Sequence, residues 1–343
     1  MHATPMVSLT HLPYDLERTI LEYAARADRP MALTLLLVSR EVKRWWARRQ
    51  GFVCLPLTSW FRIEPILYRH ITLNNDAQTD AFIHALNSPR PRSPQFFANI
   101  RSISFTYGVT FHQAAKILSV CSNITTLFCH IEFSRQNLNV SLDDIDNFRC
   151  FMTTSSPTLE RLSVTLHPFI LCPDPDFRAP VLQNLSHLCI FGSSDNCHKW
   201  LWRGLDALKH LTHLAFEIDT STPLQAIYNL TPHFPPLLRV CLVIISVKKM
   251  PIPEYLAENK EIQQFVSGDT DRRIVVGTSE TLETSGSIAA PGTSHLIQMT
   301  QREDILGDRT AWEEAEKIIR YRMRNSGWCR LTFVGAPVNL TRS

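Results

Sequence analysis

Six times along the chain an apolar residue is followed three and then five positions later by two more. The units are Ile100-Ile103-Phe105, Ile124-Leu127-Cys129, Leu159-Leu162-Val164, Leu185-Leu188-Ile190, Leu211-Leu214-Phe216 and Leu237-Val240-Leu242. Their starts are separated by 24, 35, 26, 26 and 26 residues. The last two positions of each unit are two apart, so they share one side of an extended segment. The stretches between units, such as Phe111 to Cys121, Leu142 to Met152, Lys199 to Leu208 and Leu224 to Leu230, carry their apolar residues at helical spacing instead. A short strand followed by a helix, recurring at a near-constant interval, leaves few folds open. Each strand lies parallel to the one before it, and the connections return over one side of the sheet.

This spacing matches the strand part of a leucine-rich repeat, whose units run to about 20–29 residues. Asn99, Asn123 and Asn184 each stand just before the first apolar residue of a unit, where a short polar side chain bonds turn backbone. Residues alternating with the apolar ones point to the other, concave face of the sheet. One row reads Ser102, Thr126, Arg161, His187, His213 and Arg239. The next reads Ser104, Phe128, Ser163, Cys189, Ala215 and Cys241, and a third Thr106, His130, Thr165, Phe191, Glu217 and Val243. Concave faces of repeat arrays are their usual binding surfaces, so Phe128, Arg161, His187, Phe191, His213, Glu217 and Arg239 are the candidates for holding a protein target.

Catalytic and metal chemistry find little material. His187 and His213 with Cys189 and Cys241 are zinc-ligand types on neighbouring strands, but the C-x-x-C or H-x-x-x-H spacing of a zinc site is missing. Asp195-Asn196-Cys197-His198 is a similarly loose cluster. There is no G-x-S-x-G, no H-E-x-x-H and no Gly-rich phosphate loop, and 11 glycines leave little material for one. The expectation is a chain that is not an enzyme and needs no cofactor.

Composition narrows the setting. With 343 residues, 44% of them hydrophobic, the chain can bury a large core. The first five residues, Met1-His2-Ala3-Thr4-Pro5, lack a signal-peptide pattern. The longest apolar run, Leu237 to Val247, includes Arg239 and is too short for a bilayer. A cytoplasmic or nuclear location is expected, with no membrane partner. Nine cysteines without a C-x-x-C pair read as reduced, packed thiols, and the Asn-x-Ser/Thr sequons at Asn123, Asn139, Asn184, Asn229 and Asn339 are discounted as sugar sites on the same ground. A net charge of +3 is too small to argue for nucleic acid, and the basic run Arg40, Lys43, Arg44, Arg48 and Arg49 is interrupted by Glu41 and reads as a solvated helix face.

The stretch from Leu12 to Trp46 carries the partner signal. Pro13 suits a first helical turn, Asp15 and Glu17 suit the positive end of a helix dipole, and Leu16, Ile20, Leu21 and Ala24 recur at helical spacing. A second apolar block, Met31 to Val38, follows the Asp28-Arg29-Pro30 break, and Ser39 can cap a third helix with Val42, Trp45 and Trp46 on its inner side. Three helices in about forty residues cannot enclose this much apolar surface by themselves. Leu12-Pro13, Ile20-Leu21, Leu36, Val38-Ser39-Arg40 and Trp45, in this order, resemble an F-box. Ile63-Glu64-Pro65-Ile66-Leu67-Tyr68-Arg69 resembles its continuation in a large fungal group of F-box proteins. In this chain residues 47–62 intervene as an insertion.

The resemblance implies a three-helix module docked on a Skp-type adaptor, and through it on a cullin scaffold, with Leu12, Pro13, Leu16, Ile20, Leu21, Leu36, Val38, Ser39 and Trp45 as adaptor-binding residues. The chain as a whole then reads as α/β. An F-box-like module over 8–75 precedes a leucine-rich-repeat-like solenoid over 76–276, with parallel strands and outer helices. A Gly/Ser/Thr-rich flexible insertion follows over 277–300, then a helix over 301–325 capping the open end of the stack, and a tail over 326–343 in which Leu331–Val334 can form a strand. The implied function is that of a substrate receptor of a Skp–cullin–F-box ubiquitin ligase. A repeat scaffold with no ubiquitin connection is the alternative.

Overall fold

The computed structural model describes Tyr23 and residues 68–87, 97–106, 108–131, 158–165, 177–191, 202, 204–219, 225–247, 259–280, 297–299 and 310–325. The adaptor-binding set Leu12, Pro13, Leu16, Ile20, Leu21, Leu36, Val38, Ser39 and Trp45 lies outside the described residues. So do the 47–62 insertion, the Leu142–Met152 helix, the Asp195–His198 cluster and the tail.

Nine strands are described: β1 (His70–Leu73), β2 (Ser102–Phe105), β3 (Thr126–Cys129), β4 (Arg161–Thr165), β5 (His187–Phe191), β6 (His213–Asp219), β7 (Val240–Val247), β8 (Ile274–Glu280) and β9 (Ile297–Met299). They form one sheet in the order of the chain, every neighbour parallel. Five helices are described: α1 (Asp76–Leu86), α2 (Phe111–Leu118), α3 (Gln225–Leu230), α4 (Lys260–Ser267) and α5 (Thr310–Asn325). Three 3₁₀ turns (Pro180–Leu182, Leu205–Ala207, Thr231–His233) complete the connections. None of the described helices is long and apolar enough to cross a membrane.

A hydrogen-bond ladder at the strand entries makes the repeat visible. The carbonyl oxygens of Arg69, Arg101, Thr125, Glu160, Ser186 and Thr212 each accept two consecutive backbone N–H groups from the next unit, at 2.8–3.1 Å. Hydroxyls reinforce it: Thr125 donates to the Arg101 carbonyl, Ser186 to that of Glu160 and Thr212 to that of Ser186, at 3.0–3.1 Å. Asn123 Nδ2 donates to the Ala98 carbonyl at 3.0 Å, the turn role anticipated for it. One face of the sheet, with the helices and turns, forms the main core, in which Ile103, Phe105, Leu127, Leu162, Val164, Leu188 and Leu214 are almost wholly buried. The helix α2 is fastened by a capping box, Thr110 Oγ1 accepting from Gln113 N while the Gln113 side chain accepts from Thr110 N.

Several expectations need correction. The sixth unit begins at Leu238, not Leu237: Leu238 is 4% exposed and Leu237 53%. His213 therefore stands opposite Val240, and Leu214 opposite Cys241. The outward row continues with Val240, Leu242 and Ile244, while Cys241 and Val243 join the main core. The reason is that Val240–Val247 is apolar at nearly every position, so its alternation carries no phase. The 8–75 boundary cuts the sheet, because β1 pairs with β2. The 277–300 insertion is trimmed at both ends: β8 runs to Glu280, and β9 pairs with it in parallel. Between β7 and β8 lies α4, with Ile262 and Phe265 buried. The Lys199–Leu208 helix is, in its described part, a single 3₁₀ turn.

The largest correction concerns the C-terminal helix. Its apolar side is the one expected, with Trp312, Ala315 and Ile319 buried and Ile318 and Met323 partly so. It does not cap an open end but lies on the outward face of the sheet, against Cys189, Phe191, Ala215, Val240, Leu242, Ile244 and Val275. At ~25 cal/mol per Å², covering so many aliphatic side chains outweighs solvating either surface.

Candidate functional site

The seven residues proposed to grip a target separate into two groups under this helix. Phe191 and Glu217 are 1% exposed and Phe128 is half-buried against the second core, so they support packing beneath α5 instead of offering an open surface. His130, next along the same row, is buried; its Nε2 lies 2.7 Å from Ser163 Oγ, and its ring meets Phe191 edge-on at 5.1 Å. Arg161, His187 and His213 lie instead at the strand-entry edge of the face, the two histidines against Trp312; Arg239 leaves the row expected for it, because the one-residue shift of the sixth unit puts Val240 opposite His213.

Register brings the histidines together. His187 and His213 are Cα partners on β5 and β6, and their rings stack at 4.3 Å with an interplanar angle of 1°. Both meet the Trp312 indole edge to face, at 5.7 and 5.1 Å. The residue before each histidine supplies a hydroxyl to its Nδ1: Ser186 Oγ to His187 and Thr212 Oγ1 to His213, both at 2.8 Å. Each hydroxyl also donates to the carbonyl one unit back, Ser186 to Glu160 and Thr212 to Ser186, both at 3.0 Å, which ties the two rings to the ladder. His213 Nε2 lies 3.4 Å from Glu316 Oε1 of α5, the geometry in which Nε2–H donates to a carboxylate. His187 Nε2 makes no hydrogen bond within the described residues.

The electrostatics are one-sided. Burial pushes the His187 imidazole down to about 3, with His213 and then Arg161 adding to the effect. Burial also lowers His213, with Arg239 and Arg161 acting in the same sense and Glu316 against it. Both rings are thus neutral near pH 7. Arg161 is half-buried and Arg239 exposed, and neither pairs with a carboxylate among the described residues. Glu316 reaches Arg320 of its own helix at 4.0 Å.

Parallel stacked imidazoles aim their Nε2 atoms side by side instead of converging, and among the described residues no three His, Cys, Asp or Glu side chains are arranged to hold a metal ion. Four of the nine cysteines are described, Cys121, Cys129, Cys189 and Cys241. All are buried and outside any disulfide, and burial raises every one of them, Cys121 and Cys129 to about 12, so they stay protonated. Arg161, His187 and His213 were legible as one row from the repeat period. Glu316 and Trp312 were not, because nothing in the spacing of the strands says where a helix a hundred residues later will dock. Comparison of the chain with protein-family models and with curated proteins finds no match to either.

Proposed function

We propose that this chain is the substrate-receptor subunit of a Skp–cullin–F-box ubiquitin ligase. Its N-terminal helices would seat on a Skp-type adaptor, and its strand array, read as a leucine-rich-repeat-like solenoid, would hold a protein target. The observation that carries the reading is the ordered set Leu12-Pro13, Leu16, Ile20-Leu21, Leu36, Val38-Ser39 and Trp45, placed directly ahead of an array of parallel strands in chain order. The first suits an adaptor and the second suits a cargo surface. In this role the chain supplies proximity: it holds a target lysine near a ubiquitin donor carried by partner enzymes and contributes no catalytic group.

The test is co-purification of the full chain with a Skp-type adaptor, for the native sequence and for a variant with Leu12→Ala and Pro13→Ala. The native chain should retain the adaptor, and the variant should lose it while keeping its circular dichroism. A native chain that captures no adaptor overturns the proposal.

A further inference from the structure

The entry edge of strands β4–β7 gathers two arginines that have no carboxylate partner among the described residues. Arg161 begins β4, and His187 and His213 follow in register on β5 and β6; Val240 holds the next place in the row, and Arg239, one residue before it, is close enough to lower His213. With strands about 4.8 Å apart, the row from Arg161 to His213 spans roughly 10 Å, the reach of about three residues of extended peptide. The hydroxyls of Ser186 and Thr212 hold the two Nδ1 atoms at 2.8 Å, leaving the Nε2 of each ring for another partner. The two arginines flank them with no carboxylate partner among the described residues, while the one carboxylate that has entered, Glu316, sits at His213 Nε2. Glu316 is 38% exposed by side chain, so its place is open to solvent. Among the described residues Glu314 pairs with Lys317 and Asp271 with Arg273, and neither reaches Arg161 or Arg239.

The geometry points to an acidic peptide segment of a partner protein as the ligand of this edge. Its carboxylates pair with Arg161 and Arg239 and compete with Glu316 for His213 Nε2. The inference rests on the receptor reading, for which it names the chemistry of the target. A carboxylate at this position is already accommodated by the fold, because Glu316 supplies one from within the chain. An incoming segment therefore needs no rearrangement of the sheet, only a shift of one half-exposed side chain. Bidentate arginine pairing favours carboxylates over neutral side chains.

The experiment is fluorescence anisotropy on the full-length chain without any adaptor, using labelled hexaglutamate and labelled hexalysine at low ionic strength. Hexaglutamate should bind and hexalysine should not. Arg161→Gln and Arg239→Gln should each weaken hexaglutamate roughly tenfold, a typical cost of removing one partner of a close charge pair. Glu316→Gln should tighten it by about threefold, since an internal competitor loses its charge. Arg69→Gln, an exposed arginine three strands away, should leave binding unchanged. Failure of hexaglutamate to bind overturns the inference. So does an Arg69→Gln loss equal to that of Arg161→Gln, which marks diffuse attraction, or a Glu316→Gln variant that binds no more tightly. Because no adaptor is present, these outcomes are independent of the co-purification that tests the receptor role.

Discussion

Arg322 enters the interior from α5 and ends against backbone. Its Nη1 donates to the Ile274 carbonyl at 2.6 Å and its Nη2 to that of Val266 at 2.5 Å, with longer contacts to Arg272 and Phe265. Phe265 and Val266 lie in the last turn of α4, where carbonyls lack helical partners and a cation is favoured. Gly268 ends that helix at φ 83°, and a Cβ there would stand 2.9 Å from Arg322 Cδ. Gly268→Ala therefore combines left-handed strain of about 1–2 kcal/mol with displacement of the guanidinium, and urea denaturation should show a loss at least that large. The histidine pair sets a pH response. An unfolded His187 titrates near 6.5 and the folded one near 3, so between these values the unfolded chain binds more protons and stability falls as pH falls. The drop in the urea midpoint from about pH 7.5 to about pH 5 should be smaller in His187→Gln than in the native chain.

Among elements, β7 is the instructive one. Both Leu237 and Leu238 follow Pro235-Pro236, and a strict interval of 26 residues selects the first. The ladder selects the second, because Arg239 and Val240 donate to the Thr212 carbonyl as each earlier unit does to its predecessor. A one-residue slip exchanges the faces of the whole strand. Leu238→Ala should cost about 3 kcal/mol, whereas Leu237→Ala should change stability by less than about 0.5 kcal/mol. Equal effects in thermal or urea denaturation would contradict this register. The exchange also explains why α5 docks where it does: with Val240, Leu242 and Ile244 turned outward, the second face is too apolar to remain wet there, and strands β5–β8 are buried on both sides as parallel strands generally are.

For the whole molecule, β1 (His70–Leu73) is the first of the described strands and pairs with β2. Removing residues 1–67 leaves β1 in place. Removing 1–75 strips Ile71 and Leu73 from the core and opens the edge of β2. Chains starting at 68 and at 76 should both lose any adaptor, but the second should unfold at lower urea and show more dye binding to exposed apolar surface. The same end-to-end order explains why the fold tolerates intervals of 24 and 35 residues between units: each strand needs only its neighbour, so a longer connection changes nothing in the ladder.

By itself the sequence determined what is local or periodic. The strands β2–β6, the inward side of each, the Asn123 turn and the apolar side of α5 all follow from spacing within a few residues. Tertiary structure decided what spacing cannot encode. The phase of β7 depended on which of two adjacent leucines found the core, and β9 depended on an edge left open by β8. The conversion of Phe191 and Glu217 from surface to interior depended on a helix arriving from elsewhere in the chain. Periodicity records which residues share a face, while the free energy that chooses between covering that face and leaving it to solvent belongs to contacts between segments far apart in the chain.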